Sequence, residues 1–150
     1  MKFIIKNRKE IDMIQIIYWS GTGNTKLMAE NIAEGIKGKG DVEVVEVSNA
    51  DARGIMDSEI VVLGCPAMGA EELEDTEMLP FIEAHQALFS GKKIALFGSY
   101  GWGTGEWMNS WKEQMEEMGA TLVAEPLIVN EFTSGQDEAI CIEYGKQIIK

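Results

Sequence analysis

Residues 20–25 read Ser20-Gly21-Thr22-Gly23-Asn24-Thr25 and separate the apolar run at residues 14–19 from a segment with helical periodicity. A strand that leads through a glycine- and hydroxyl-rich turn into a helix N-terminus forms an anion site, because backbone N–H groups point outward there and the helix dipole adds positive charge. The two glycines also allow a ligand to approach the backbone closely. Because the turn contains no basic or acidic side chain, it predicts binding of a phosphate rather than its transfer.

The spacing of these glycines excludes two common phosphate-binding motifs. A P-loop requires a lysine directly after its second glycine, and Gly23 is followed instead by Asn24 and Thr25. A dinucleotide fingerprint requires a third glycine three residues after the second, and that position holds Lys26. Taken alone, the turn leaves two interpretations open: a phosphate site, or an ordinary strand–helix turn capped by serine and threonine.

Strands and helices alternate almost without interruption along the rest of the chain. Apolar runs predict strands at residues 14–19, 42–47, 60–63 and 93–97, and a fifth at 121–123 with 127–129. Pro126 interrupts this fifth strand, and residues 134–137 resemble a capping box that opens the last helix. Amphipathic segments predict helices between the strands. Their predicted inward-facing residues are Met28, Ile32 and Ile36; Phe81, Ile82, His85 and Leu88; Trp107, Trp111, Met115 and Met118; and Ile140, Tyr144 and Ile148.

Five strand–helix units in one small domain predict an α/β fold, a doubly wound parallel sheet with helices on both faces. Ligands of such sheets bind beyond the carboxyl ends of the strands. This rule selects the loops at residues 20–25, 65–71 and 98–105 as one site. Residues 1–12 precede the first strand and are interpreted as an N-terminal extension, with residues 13–150 as the domain.

Charge and composition exclude several classes of protein. The net charge of −12 repels nucleic acid and anionic membranes and would steer a basic protein partner. The alternative interpretation is that the acidic residues serve only to keep the protein soluble. No apolar run approaches the length of about 18 residues that a membrane span needs, and no signal-peptide pattern is present. Two cysteines do not form a disulfide framework in a chain of 150 residues, so a cytoplasmic location is expected.

The second and third loops contain residue types that suit a flat ligand. Met68 carries a polarizable thioether, and Gly69 occupies a turn position at which a positive φ permits the following peptide to flip. Trp102 stands among glycines, where it can stack on a ring. Each has a plainer alternative, a surface turn for residues 68–71 and a side chain folded onto the sheet for Trp102. Trp19 is predicted either to touch a ligand or simply to pack.

Three stretches carry a resemblance to a known family. Residues 18–25 read Tyr-Trp-Ser-Gly-Thr-Gly-Asn-Thr, Leu-Gly-Cys at 63–65 is followed by Met-Gly at 68–69, and residues 95–103 read Ala-Leu-Phe-Gly-Ser-Tyr-Gly-Trp-Gly. In this order and spacing they resemble the short-chain flavodoxins of the clostridial type, over about residues 13–149. The resemblance implies a five-stranded flavodoxin-like sheet in the order 2-1-3-4-5, noncovalently bound FMN, and a low-potential carrier that passes single electrons between redox proteins and is not a stand-alone enzyme.

The resemblance also implies which residues bind FMN. The phosphate is expected on residues 20–25, with Ser99 nearby. The complete expected set of cofactor-binding residues is Ser20, Gly21, Thr22, Gly23, Asn24, Thr25, Pro66, Ala67, Met68, Gly69, Ala70, Glu71, Ser99, Tyr100, Gly101, Trp102 and Gly103.

Four of these residues are expected to act on the flavin ring. Met68 and Trp102 are expected on its opposite faces. The carbonyl of Gly69 is expected to accept a hydrogen bond from protonated flavin N5 in the semiquinone, and Glu71 is expected to accept one from the flavin N3–H. These roles are implied by the resemblance.

The sequence departs from the clostridial pattern near the cofactor loops. Ala70 and Thr104 stand where members of this type usually carry aspartate, and Pro66 replaces a common serine. With two fewer carboxylates, an anionic reduced flavin is less disfavoured, so the low-potential couple is expected to be less extreme. The potentials of an Ala70→Asp variant test this expectation. The basic extension at residues 1–12 is also unusual.

Two other functions remain open on the same fold. One is an FMN-dependent NAD(P)H:quinone-type reductase, although the chain has little spare length for a substrate pocket. The other is a non-redox phosphate-binding module, which has no need of Met68 and Trp102. His85 lies on an apolar helix face and is expected to be structural rather than a base, and no catalytic or metal-ligating arrangement follows from the spacing.

Acidic residues follow the second loop and indicate a partner. We interpret them as a docking surface for basic patches on redox proteins such as reductases, oxidoreductases and ferredoxin-like systems, with a solvated loop as the alternative. The run comprises Glu71, Glu72, Glu74, Asp75 and Glu77. No nucleic acid or membrane partner is expected, and the chain is expected to be a monomer.

Overall fold

Strands and helices alternate along most of the structure, a computed structural model that describes residues 13–69, 71–101, 103–131 and 135–149. The strands are β1 (Met13–Tyr18), β2 (Asp41–Glu46), β3 (Ile60–Gly64), β4 (Lys93–Tyr100), β5 (Thr121–Leu122) and β6 (Leu127–Asn130). The helices are α1 (Asn24–Ile36), α2 (Ala52–Asp57), α3 (Met78–Ala84), α4 (Gln86–Phe89), α5 (Glu106–Glu117) and α6 (Gly135–Ile148). The predicted extension at residues 1–12 and Ser134 of the predicted capping box lie outside the described residues.

The strands form one parallel sheet in the order β2-β1-β3-β4-β5, which confirms the predicted doubly wound topology. The central strand β3 is buried along its whole length because helices cover both faces of the sheet. One apolar layer joins the sheet to α1 and α6. The other joins it to α2, α3, α4 and α5.

The predicted fifth strand is divided into two short ones. Residues of β5 pair with Lys93 and Ile94 at the start of β4, and β6 pairs with residues 97–100 at its end. Pro126 lies between the two segments and has no backbone N–H to contribute to a ladder. The carboxyl end of β6 therefore lies beside the carboxyl end of β4.

Helices α1 and α6 approach each other so closely that two glycines are required. A Cβ added to Gly35 would lie 2.0 Å from the carbonyl oxygen of Ile142, and one added to Gly145 would lie 2.2 Å from that of Ile32. Real carbon and oxygen atoms cannot approach to these distances, so the contact of the two helices depends on the absence of both side chains. This contact fixes α1, whose first two residues, Asn24 and Thr25, are the last two of residues 20–25.

Several expectations about helix faces and about the bounds of elements are wrong. Ile140 is 41% exposed, and the neighbouring Cys141 is buried instead, because the contact with α1 turns that side of α6 inward. The segment predicted as one helix at residues 81–88 is two helices that meet at His85, whose Nδ1 lies 2.7 Å from the carbonyl oxygen of Phe81. Val47 belongs to a turn of 3₁₀ helix rather than to β2.

Within the described residues, no helix combines the length and apolar character that crossing a membrane requires.

Candidate functional site

The carboxyl ends of β1, β3 and β4 bring three loops to one place. The N–H of Trp19 donates to the carbonyl of Gly64 at 3.0 Å, and that of Cys65 donates to the carbonyl of Phe97 at 3.1 Å. The N–H of Ala67 extends the β3–β4 pairing into the loop, because it donates to the backbone carbonyl of Ser99 at 3.0 Å. The ladder of backbone hydrogen bonds therefore aligns the beginnings of all three loops, as the sequence predicts.

A cleft of about 320 Å³ opens between these loops. Its lining residues are Trp19, Gly21, Thr22, Asn24, Pro66, Ala67, Met68, Ser99, Tyr100, Gly101 and Glu131. The volume is typical of a small-molecule site. Nine of the predicted cofactor-binding residues are in this lining, which all three loops supply.

The turn at residues 20–25 has the geometry of a helix N-terminus prepared for an anion. Gly23 caps α1 with a φ of 102°, a conformation that favours glycine. The hydroxyl oxygen of Ser20 accepts the N–H of Gly23 at 3.0 Å and that of Lys26 at 3.4 Å. Since these two donors occupy the oxygen's lone pairs, the O–H of Ser20 is free to donate to a bound anion.

Two buried hydroxyls connect the first loop to the third. Thr25 Oγ1 and Ser99 Oγ are 3.3 Å apart, and both side chains are almost fully buried. Either hydroxyl is able to donate to the other. The hydroxyl that accepts keeps its own proton for a different acceptor. This hydrogen bond fixes the start of α1 against the end of β4.

Trp19 lies over the first loop. It is half-buried and lines the cleft, and a Cβ added to Gly21 would be 3.1 Å from the indole Cη2. The glycine thus leaves room for the ring to pack on the backbone of the loop. Trp19 therefore packs on the first loop, as one of the two alternatives predicts. It also presents part of its ring to the cleft, where the other alternative places a ligand.

The second loop closes on itself at Met68 and Glu72. Each of these residues donates its N–H to the other's carbonyl oxygen at 2.9 Å, as in a one-pair hairpin. Gly69 has a φ of 47°, in agreement with the positive φ that its turn position predicts, and Glu71 has a φ of 59°. Ala70 lies outside the described residues.

The carboxylate of Glu71 points to the third loop and is absent from the cleft lining. It accepts hydrogen bonds from the N–H groups of Thr104, Gly105 and Glu106 at 3.2, 2.9 and 2.9 Å. Desolvation raises the pKa of Glu71, but the hydrogen bonds from these amides outweigh it, and the pKa lies below its ordinary value. The expected contact of this residue with a flavin N3–H stays a prediction.

The third loop begins in the core, reaches the surface at Gly103 and Thr104, and ends at the buried Gly105. Tyr100 is half-buried and packs on Trp107, with 5.7 Å between ring centroids. Trp107 and Trp111 are each 1% exposed, which confirms their predicted core positions. Trp102 lies outside the described residues, so its predicted stacking role stays a prediction.

Glu131 is a site residue that the sequence did not indicate. It follows β6 with a φ of 48°, its N–H donates to the carbonyl of Tyr100 at 2.9 Å, and it lines the cleft. The rule that ligands bind at the carboxyl ends of strands also covers the loop after the last strand, which is the signal in the sequence that points to this position. Its charge matters because it borders a cleft whose other described lining residues are uncharged.

A doubly wound parallel sheet, a glycine-rich turn at the N-terminus of α1 and a cleft walled by Trp19, Met68 and Tyr100 define a protein of flavodoxin-like fold. The family model described as flavodoxin matches residues 16–145, most of the chain. The chain belongs to the flavodoxin family.

Known relatives cover nearly all of the chain. A flavodoxin from Clostridium beijerinckii is 49% identical over 136 residues, which are 90% of this chain and 98% of that protein. One from Megasphaera elsdenii is 45% identical over 139 residues, 92% of this chain and 99% of that protein. The solution structure of two-electron reduced Megasphaera elsdenii flavodoxin aligns with a TM-score of 0.82 at 41% identity, covering 91% of this chain and 98% of that one.

Family membership establishes the cofactor and the general function. The protein is a small FMN-binding electron carrier that exchanges electrons with redox partner proteins, and neither a reductase with its own substrate pocket nor a non-redox module is favoured. The site fits the cofactor, because amide and hydroxyl donors without acidic neighbours in residues 20–25 suit a phosphate, and the apolar walls suit a flat ring. In the part of the chain that is described, no group of three or more His, Cys, Asp and Glu is arranged for a metal ion.

Proposed function

We propose that FMN binds in the cleft with its phosphate on residues 20–25 and its ring between the second and third loops. The observation that carries this proposal is the convergence of the three loops on one cleft, whose lining includes both Asn24, the first residue of α1, and Met68. When bound, FMN accepts and releases electrons one at a time. The remaining predicted residues, including Gly69, Gly103 and the undescribed Ala70 and Trp102, are part of the proposed site.

The protein's own residues would bind the phosphate and control charge near the ring. The O–H of Ser20 and the outward-facing amides of the first turn of α1 donate to the phosphate. Glu131 borders the cleft, and its carboxylate makes added negative charge there unfavourable. We therefore propose a low-potential carrier.

The phosphate assignment is tested by comparing FMN with riboflavin, which lacks the phosphate. FMN has about 30 non-hydrogen atoms, which at ~0.3 kcal/mol per atom permits a submicromolar dissociation constant. Because several charge-assisted hydrogen bonds are lost with the phosphate, riboflavin should bind the apoprotein at least about a hundredfold more weakly. Titration followed by flavin fluorescence measures both constants.

A matched pair of variants localises the effect. Ser20→Ala removes one donor and should weaken FMN about tenfold while leaving riboflavin affinity unchanged. Ser90→Ala changes an exposed serine between α4 and β4, near the amino end of β4, whereas the cleft lies at the carboxyl ends of the strands. It should alter neither constant. Equal affinities for FMN and riboflavin, or equal losses of both in Ser20→Ala, would contradict the proposed phosphate site.

The predicted docking surface is smaller than the sequence suggests. Glu74 is buried, with only 2% of its surface exposed, and therefore belongs to the interior rather than to the docking surface. The carboxylate of Glu71 is occupied by backbone amides. We propose that the exposed members of the run, Glu72, Asp75 and Glu77, form an acidic rim beside the cleft that receives basic patches on redox partners.

Charge reversal tests the acidic rim. A variant with Glu72→Lys, Asp75→Lys and Glu77→Lys should reduce a basic c-type cytochrome about tenfold more slowly at low ionic strength, because electrostatic steering is lost. The difference should vanish at high salt. The control replaces Glu116, Glu117 and Glu143, three exposed residues of α5 and α6, by lysine and has the same net charge. Equal slowing by the two variants would show that net charge alone acts, and the rim would be rejected.

We further propose that the protein works as a monomer in the reducing cytoplasm. Both cysteines are buried and free, and burial raises the pKa of Cys65 and Cys141 to about 12, which keeps the thiols protonated. Large exposed hydrophobic side chains within the described ranges are Leu27, Met56 and Ile140, on three different helices. Such single residues do not form the apolar patch that a stable dimer buries.

A further inference from the structure

We propose that Glu71 is a positioning residue whose carboxylate latches the second cofactor loop to the N-terminus of α5. Oε1 accepts the N–H of Thr104, while Oε2 accepts those of Gly105 and Glu106. The residues that these bonds join are 33 to 35 positions apart in the chain. This latch rests on the proposed function of the two loops and explains how they are held in place relative to each other.

Helix α5 has a specific need for this carboxylate. Its N-cap residue is Gly105, which offers no side chain to accept the first amides of the helix. The carboxylate of Glu71 fills that role from the neighbouring loop, and its negative charge is favourable at the positive end of the helix dipole. One side chain therefore satisfies the helix and ties the loop to it.

The backbone on both sides is shaped to admit the latch. Glu71 adopts a φ of 59°, which is uncommon for a residue with a side chain, and the hydrogen bonds between Met68 and Glu72 hold the base of its loop. On the other side, a Cβ added to Gly103 would lie 2.6 Å from Cδ of Glu71. The third loop thus has glycine where the carboxylate passes.

The latch is made within the protein itself. Its donors are backbone amides of residues 104–106, and its formation requires no bound molecule. The two loops are therefore arranged before the cofactor arrives, which lowers the ordering cost of binding.

The apoprotein separates this role from simple ligand contact. In Glu71→Gln, one of the two acceptor oxygens becomes an NH₂ group that cannot accept an amide N–H. The urea midpoint of the apoprotein should fall, and FMN affinity should fall about tenfold. Glu113→Gln is the control, because it removes the same charge from an exposed side chain of α5 outside the latch and the acidic rim, and it should change neither quantity.

Each outcome of this experiment decides the proposal. A residue that only contacts bound FMN would lose affinity in Glu71→Gln without any change in the apoprotein midpoint, and that result would overturn the latch. A lower midpoint with unchanged FMN affinity would overturn its positioning role. If the site holds no FMN at all, wild type and both variants fail to bind it, and only the proposed function is refuted while the midpoint still reports the latch.

A double-mutant cycle with Gly103→Ala gives a second test. The alanine imposes backbone strain at a φ of 92° in any background, but it meets the carboxylate only where Glu71 is present. Gly103→Ala should therefore lower the apoprotein midpoint more in the wild-type background than in Glu71→Ala. Equal shifts in the two backgrounds would mean that the side chains do not meet, and the latch would be rejected.

Discussion

Gly35→Ala should lower the free energy of unfolding by about 2–3 kcal/mol, as measured by urea denaturation. The new methyl group would lie 2.0 Å from the carbonyl oxygen of Ile142 and would force α1 and α6 apart. Because the obstacle is backbone rather than the end of a flexible side chain, a change of rotamer cannot relieve it.

The sign of this effect distinguishes packing from helix propensity. In an ordinary helix interior, replacing glycine by alanine stabilises the helix by about 1 kcal/mol. Glu30→Ala, on the exposed side of α1, is the control and should change stability by less than about 0.5 kcal/mol. A neutral or stabilising Gly35→Ala would mean that the two helices do not pack as closely as the structure indicates.

The same substitution should reach the cofactor site. The N-terminus of α1 supplies the amides that follow Gly23, and the contact with α6 fixes the direction of the helix. A displaced α1 turns these amides away from the proposed phosphate position. FMN should therefore bind Gly35→Ala more weakly than it binds Glu30→Ala, with riboflavin affinity less affected.

Glu74→Gln should be destabilising by about 2–4 kcal/mol in the same denaturation experiment. The buried carboxylate of Glu74 accepts the N–H groups of Thr76, Glu77 and Met78, each at 2.8 Å, and also the hydroxyl of Thr76. It thereby caps the start of α3. An amide at this position leaves some of these donors without an acceptor in a site that water does not reach.

The pH dependence of this effect has a definite sign. Desolvation raises the pKa of Glu74, but its hydrogen bonds outweigh this and hold the pKa below the ordinary value. A carboxylate with a lowered folded-state pKa contributes stability that is present above the unfolded-state pKa and is lost as pH falls through the folded-state pKa. The difference between wild type and Glu74→Gln should therefore shrink from about pH 5 downward.

Glu77→Gln is the control for Glu74→Gln. It removes an identical charge three residues away, from an exposed side chain, and should cost less than about 0.5 kcal/mol at any pH. If Glu77→Gln cost as much as Glu74→Gln, the effect would come from the net charge of the loop. A gap that does not change with pH would show that Glu74 is not held as a carboxylate in the folded protein.

Much of the cofactor site could be predicted because its signals lie in consecutive residues. An apolar run followed by residues 20–25 indicates a strand, a turn and a helix start, and the geometry of Gly23 agrees with that interpretation. The positive φ of Gly69 and the core positions of Trp107 and Trp111 also follow from local spacing. These features depend on backbone preferences and periodicity, which the neighbours of each residue determine.

The sequence by itself determined the α/β class, the parallel sheet and the three loops at its carboxyl edge. Only the tertiary structure decided that Glu74 is buried while Glu72 is exposed, that Glu71 binds the start of α5, and that Glu131 borders the cleft. The reason is physical: a glutamate has the same local propensity in all four positions, and its burial and partners depend on backbone groups that the fold brings from elsewhere. Periodicity predicts which face of an element is apolar, but the contacts between elements select which polar groups are enclosed.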